Sequence, residues 1–444
     1  MTAQSLLPWR RVTTPDGLWN LFAWFGRACD QSAGMLLNPL VVAVFARSVQ
    51  PDPFRISWLV AGFGIGWLLG TAIAPVLQQV TIRVMPWIVG GFIVRTAAIV
   101  LIAFAATDHS SSNNQRFKSI LICYVAYGIA TGIARTAQAR HVIRQSPGGI
   151  LRPGTFSASV GLALVFGLAA LATWSALSST ELGWDQSFGR VWSLAAVALG
   201  VATIAAIREG ADNPELPDPR RIETSTTRQP TLSVVNAPLM LTVAGLAALA
   251  FLEVLALIFL FGEFRRQTIF VRGALGFFAA GWVVGLLAWA ALRGRYAPVL
   301  LAQLSIGFAT AGIVLAVATP DLIRSSWFPE TVRGHTSLSV LVYVVGLAVG
   351  IGIAGRRMAL AAMFESRMMR NQRHALLASA IACGAPLLVG WTTTRYALSW
   401  VLIGGIVVAL VVLASAGMMA GHSPARLPGH SVGSPARHAL LPRQ

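Results

Sequence analysis

Gly66-Trp67-Leu68-Leu69-Gly70 recurs in the second half of the chain as Gly281-Trp282-Val283-Val284-Gly285. Each pentapeptide lies inside a long apolar run, and each is followed by a short turn and a further apolar run. Self-similarity at a fixed offset is the sequence signature of a duplicated structural unit. The chain is therefore predicted to contain two similar halves.

A second glycine motif repeats in the same order. Gly128-x-x-x-Gly132 corresponds to Gly346-x-x-x-Gly350 at nearly the same offset as the pentapeptides. Small residues spaced in this way let two membrane helices approach closely. The motifs are therefore expected either to line a central cavity or to pack helices together. Trp67 and Trp282 could likewise either contact a substrate or pack between helices. The motif residues are Gly66, Trp67, Gly70, Gly128, Gly132, Gly281, Trp282, Gly285, Gly346 and Gly350.

The composition requires lipid as the solvent of this chain. Apolar residues make up 55% of its 444 residues, charged residues 11%, and the mean hydropathy is +0.68. Soluble proteins contain about one quarter charged residues, and a membrane-spanning helix needs about 20 apolar residues. The runs of suitable length predict twelve spans: Trp19–Phe45, Ile56–Val80, Met85–Ala106, Ser119–Gln138, Phe156–Leu177, Val191–Ile207, Leu239–Leu260, Gly273–Leu292, Ala297–Ala318, Leu338–Ala354, Ala375–Trp391 and Tyr396–Met419.

The spans divide the chain into an all-α membrane protein with two six-helix bundles. We predict an amino-terminal half at 1–207, a cytoplasmic central loop at 208–238 and a carboxyl-terminal half at 239–420. The remaining residues, 421–444, are rich in Pro, Ser, Gly and His and are predicted to form a disordered cytoplasmic tail.

The net charge of +18 comes largely from arginines at the ends of apolar runs. Arginines there act as topology signals, because cytoplasmic loops carry the excess of basic residues. Clusters at 135–152 and 356–373 fall on the same side as the amino terminus. The sequence therefore predicts an inner-membrane protein with both termini in the cytoplasm, and it disfavours nucleic-acid binding, which needs a basic face on a soluble fold.

This arrangement resembles the major facilitator superfamily of secondary transporters, over nearly the whole of Trp19 to Met419. The resemblance implies a central cavity lined by the first, fourth, seventh and tenth spans, and halves that rock about it. The family usually carries acidic and arginine residues together after the second span. Here Gln78 to Arg83 contains one arginine and no acid, and the matching loop after Gly285 keeps only Arg293 and Arg295.

Two acidic residues, Asp30 and Glu253, lie inside predicted spans. The first and seventh spans, which carry them, are counterparts in the repeat, and an ionisable group at this depth is a functional candidate by default. Desolvation favours the protonated form of a buried carboxylate, which is the basis for proton coupling. Arg27, one turn before Asp30, and Arg95 in the third span are candidate ion-pair partners, and Arg95 is also a candidate contact for an anionic substrate.

The predicted function is transport of a small organic solute, coupled to protons, with export favoured over uptake. A non-transporting relative that delivers or scaffolds a lipid or pigment stays open, as does a polytopic membrane transferase. Short outer segments without clustered carboxylates disfavour the transferase, so the protein is not expected to be an enzyme. Its expected partners are the solute, protons and the lipid bilayer, without a cofactor or metal ion, and it is expected to be a monomer.

Overall fold

The computed structural model describes residues 15–49, 52–80, 84–145, 167, 183–212, 237–263, 268–292, 298–324, 340–356 and 372–422. Within these residues the regular structure is entirely helical. The helices are α1 Pro15–Leu36, α2 Pro39–Val49, α3 Pro53–Val80, α4 Met85–Thr107, α5 Asn113–Gln145, α6 Trp184–Asp212, α7 Ala237–Glu263, α8 Thr268–Leu292, α9 Pro298–Arg324, α10 Val340–Arg356, α11 Gln372–Thr392 and α12 Leu398–His422.

These helices confirm an all-α fold for a multi-pass membrane protein. Seven segments of the described chain are long and apolar enough to cross a bilayer, and four shorter apolar helices accompany them. Together they coincide with every predicted span except the fifth. That span, Phe156–Leu177, lies outside the described residues apart from Gly167, as do 213–236 of the central loop and 423–444 of the tail.

Large apolar side chains cover the outside of the bundle, as lipid contact requires. Phe104, Ile122 and Trp400 each expose more than two thirds of their surface. On a soluble protein such a surface would drive aggregation. In a bilayer it matches the hydrocarbon around it.

The first span is broken rather than continuous, which corrects the single helix predicted at Trp19–Phe45. The break falls at Leu37 and Asn38, because Pro39 has no N–H with which to continue the helical hydrogen bonds. Asn38 compensates in part, since its Oδ1 accepts a hydrogen bond from the Leu40 N–H at 2.9 Å. The Tyr124 hydroxyl of α5 donates to the Leu37 carbonyl at 2.8 Å and so holds the break against the fourth span.

The repeated glycines bring α3 and α5 into backbone contact in the amino-terminal half. Gly66 and Gly70 lie against the backbone of Val125 and Ile129, and a Cβ on Gly132 would stand 2.6 Å from the Trp67 carbonyl oxygen. This distance is well below van der Waals contact. Only glycine fits at such a crossing.

The carboxyl-terminal half repeats the same crossing between α8 and α10. Gly281 and Gly285 lie against Leu347 and Ile351, and a Cβ on Gly350 would stand 2.8 Å from the Trp282 nitrogen. The two motifs of each half thus pack against each other. Their placement accounts for the order in which they repeat along the sequence.

The two halves meet where α3 lies along α11 and where α2 lies against α7. Gly64 permits one close approach, since a Cβ there would stand 2.8 Å from the Cys383 Sγ. Gly390 faces Ser57 farther along the same helix pair. Both points lie in the first half of α3 and in the second half of α11.

Gly132→Ala and Gly350→Ala are expected to destabilise the protein, because the added methyl group meets backbone atoms that cannot move aside. Overpacking of this kind costs about 1–3 kcal/mol. Thermal unfolding of the purified protein in detergent measures the loss.

Gly90→Ala and Gly404→Ala are the matched controls, since no heavy atom of the described residues lies within 4 Å of a Cβ built at either position. Both should leave the unfolding temperature unchanged or raise it, as alanine favours a helix over glycine by about 1 kcal/mol. Equal losses in all four variants would contradict the assigned crossings.

Candidate functional site

Asp30 of α1 is buried and pairs with arginines from two other helices. Arg95 Nη1 of α4 lies 2.7 Å from Asp30 Oδ1, and the two side chains expose 3% and 5% of their surface. Arg135 Nη2 of α5 lies 3.4 Å from Asp30 Oδ2. We call Asp30, Arg95 and Arg135 the amino-terminal charge cluster; it joins the first, third and fourth spans.

Arg95 is enclosed on several sides within this cluster. Its Nη2 donates a hydrogen bond to the Tyr127 hydroxyl at 3.1 Å. The centre of its guanidinium group lies 5.2 Å from the Phe92 ring centroid and 5.1 Å from that of Tyr127. Cation–π contacts of this geometry add to the attraction by Asp30. Arg95 is therefore held in place by the protein itself.

Glu253 of α7 forms the corresponding pair in the carboxyl-terminal half. Its Oε2 accepts a hydrogen bond from Arg356 Nη2, at the end of α10. The Glu253 side chain is fully buried and Arg356 exposes 6% of its side-chain surface. We call these two residues the carboxyl-terminal ion pair.

Both arrangements connect equivalent elements of the two halves. In each half a carboxylate on the first span faces an arginine on the fourth span, and that arginine lies a few residues beyond the second glycine of the repeated motif. The glycine crossings and the charged contacts therefore follow one pattern. The amino-terminal cluster adds Arg95, whereas the carboxyl-terminal ion pair contains one arginine among the described side chains.

The energetics of these pairs favour their persistence. A charged side chain at bilayer depth costs at least about 2.5 kcal/mol on insertion scales. An oppositely charged partner offsets that cost, whereas removal of one partner leaves an uncompensated charge. The pairs thus hold their helices together most strongly when both members are charged.

Sequence reasoning missed Arg356, because it belongs to an arginine cluster that is predicted to be cytoplasmic. Its carboxylate partner lies 103 residues away in the chain. The available signal was its position directly after the apolar run of α10, where a long side chain reaches back along the helix. Arg135 was missed in the same way, as a member of the cluster at 135–152.

The other candidates fall in varied places. The backbone of Arg27 belongs to α1, but its side chain lies outside the described residues. Trp282 is buried, with 1% of its surface exposed, and packs edge-on against Phe278. Its counterpart Trp67 is 40% exposed.

Solved structures of transporters share this fold. The nucleoside transporter NupG, in a mutant form, matches with a TM-score of 0.57 at 12% identity, over 90% of this chain and 99% of that one. A bacterial homologue of the iron transporter ferroportin, in an inward-facing state, matches at 0.56 and 15% identity, over 90% and 98%. A D-xylose–proton symporter matches at 0.58 and 13% identity, over 88% and 96%.

These similarities confirm the fold predicted from the repeat: the chain has the helical fold that these transporter structures share. The matched proteins are transporters rather than enzymes. No protein-family model and no curated protein sequence matches the chain.

A double-mutant cycle measures the Asp30–Arg95 interaction. Asp30→Asn and Arg95→Gln each leave a buried charge with a weaker partner, for which losses of about 3–5 kcal/mol are typical. The double variant should lose less than the sum of the two, with a coupling of about 1–3 kcal/mol. Unfolding of the purified protein in detergent provides all four free energies.

Asp52 and Arg55 provide the matched control, because they form a pair at 3.8 Å with side chains about half exposed. The cycle of Asp52→Asn and Arg55→Gln should give a coupling below about 0.5 kcal/mol. Additive effects at Asp30 and Arg95 would show that the buried pair does not stabilise the fold.

Proposed function

We propose that the protein is a secondary active transporter that moves a small organic solute across the cytoplasmic membrane, coupled to protons. The observation that carries the proposal is the matched pair of carboxylate–arginine contacts between the first and fourth spans of each half. In a fold of this kind the solute binds near the midplane between the halves. Buried ionisable groups at that depth commonly mark ion and substrate pathways.

Glu253 is the residue that we propose to carry the coupled proton. Its Oε2 is engaged by Arg356, whereas Glu253 Oε1 and Arg356 Nη1 have no hydrogen-bond partner among the described residues. Buried polar atoms are nearly always satisfied, so such a pair calls for a functional explanation. Protonation of Glu253 would release Arg356, and the loss of that contact would change how α7 and α10 are held together.

The contacts between the halves support access from the cytoplasm. With both termini in the cytoplasm, as we propose, the start of α3 lies at the outer face of the membrane. The contacts of Gly64 with Cys383 and of Ser57 with Gly390 then lie toward that face. Asp30 lies toward the inner one, on the other side of the break at Leu37. In an inward-open state an exporter takes up its solute and an importer releases it; export is the direction that we propose.

Glu253→Gln is expected to separate proton coupling from solute movement. The amide keeps the size of the side chain and a hydrogen-bond acceptor for Arg356, but it cannot exchange a proton near neutral pH. In vesicles that contain a pH-sensitive dye, the solute-induced change of internal pH should disappear. Exchange of labelled for unlabelled solute without a gradient should continue.

The solutes tested are uridine, xylose, benzoate and choline, so that neutral, anionic and cationic compounds are all represented. Asp321→Asn is the control, since Asp321 is an exposed carboxylate at the end of α9. An unchanged pH signal in Glu253→Gln would rule out this mechanism. Failure of the wild type to move any of the four solutes would favour a non-transporting protein with the same fold.

A further inference from the structure

The two charged arrangements differ in net charge. Among the described side chains, the amino-terminal charge cluster contains two arginines and one carboxylate, whereas the carboxyl-terminal ion pair contains one of each. The described side chains beside the first span therefore carry one surplus positive charge. A charge within an apolar bundle needs a compensating group, which can be a ligand as well as a side chain.

Arg135 is the arginine that carries this surplus. Arg95 already neutralises Asp30, because it approaches to 2.7 Å and is fixed by Tyr127 and Phe92. Arg135 makes its one polar contact among the described residues at 3.4 Å, and 36% of its side chain is exposed. A guanidinium group offers five N–H donors. Most of those donors have no partner among the described residues and can bind a ligand.

The face of α5 that carries Arg135 is directed at the first span. Tyr124, Thr131 and Arg135 recur at helical spacing on one face of α5. That face is directed at the first span, because the Tyr124 hydroxyl bonds the Leu37 carbonyl and Arg135 reaches Asp30. If the protein works as the transporter proposed above, on which this inference rests, the space beside the first and fourth spans belongs to the central cavity.

Three hydroxyl groups of the first, fourth and sixth spans, among the described residues, are already bonded within their own helices. The hydroxyl of Ser32 in α1 donates to its own helix at Ala28, and that of Thr131 in α5 donates to Tyr127. Thr203 of α6 does the same at Leu199. An uncharged polyol would need several free donors and acceptors to be recognised. A positively charged solute would be repelled by the surplus arginine.

We propose that the solute carries an oxyanion, a carboxylate or a phosphate group, and that Arg135 is the residue that binds it. The planar fork of a guanidinium group matches the two oxygens of either group in a bidentate contact. Binding would neutralise the surplus charge, and it would draw Arg135 from its long contact with Asp30. Asp30 would keep its closer contact with Arg95.

Thermal stabilisation of the purified full-length protein tests the proposal through matched pairs of compounds at constant ionic strength. The pairs are benzoate with benzamide, glucuronate with glucose, and uridine monophosphate with uridine, and inorganic phosphate is compared with chloride. At least one oxyanion should raise the unfolding temperature of the wild type while the compound paired with it does not. Benzoate and glucuronate test for binding of a carboxylate, and uridine monophosphate and inorganic phosphate test for binding of a phosphate group.

Arg135→Gln should raise the half-saturating concentration of that oxyanion about tenfold or more, the effect of losing about 1.4 kcal/mol. Arg135→Lys keeps the charge but not the fork, so it should bind more weakly than the wild type and more tightly than Arg135→Gln. Arg55→Gln removes an exposed arginine outside the cluster and should behave as the wild type. The unliganded unfolding temperature of each variant shows that it is folded.

Two results of the stabilisation experiment would overturn the proposal. One is stabilisation by a neutral compound equal to that by its anionic partner; the other is the absence of any oxyanion that distinguishes the wild type from Arg135→Gln. Transport of a neutral solute at equal rates by both proteins would overturn it while leaving the transport function intact. Arg135-dependent stabilisation by an oxyanion, in a protein that shows no flux, would support the oxyanion site and contradict the transport function.

Discussion

A carboxylate inside an apolar helix bundle must have a positive partner, and this constraint organises the protein. Asp30 and Glu253 are each buried on the first span of a half. Each would cost at least about 2.5 kcal/mol if left charged and alone. Arginines on neighbouring helices offset that cost and thereby fix which helices can be adjacent. In both halves an arginine of the fourth span contacts the carboxylate, and in the amino-terminal half Arg95 of the third span makes the closer contact.

The fourth span of each half can supply this positive partner because its faces contact different helices. In α5, Gly128 and Gly132 admit the backbone of α3, while Arg135 reaches toward α1. In α10 the glycine face likewise receives α8, and Arg356 reaches Glu253 of α7. The glycine crossing places the helix close enough for a side chain to span the remaining gap. The apolar packing at the glycine crossings thus positions the arginines that contact the buried carboxylates. The halves differ in two respects: the amino-terminal half adds Arg95, and Arg135 is partly exposed whereas Arg356 is buried. This difference can carry a functional asymmetry between the halves.

The repeated glycine motifs were visible in the sequence because backbone approach tolerates no other residue, and the helical spans were visible because lipid imposes a length and a composition. The rarity of acids within the spans likewise identified Asp30 and Glu253. Their partners were harder to find. Arg95 stood out by its position in a span, but Arg135 and Arg356 resembled ordinary topology arginines at helix ends. Which arginine turns inward depends on the crossing angle and rotation of distant helices, which no local pattern records. The break before Pro39 was missed for a different reason, since apolar character continues through it and hydropathy alone does not register a lost N–H.

An experimental structure of the full-length protein in lipid, at a resolution that defines side chains, tests this organisation most directly. The account predicts that the amino-terminal half superposes on the carboxyl-terminal half by rotation about an axis along the membrane normal, with Asp30 bonded to Arg95 and Glu253 bonded to Arg356. A structure in which either carboxylate faces acyl chains, or in which the two halves do not superpose, would contradict it.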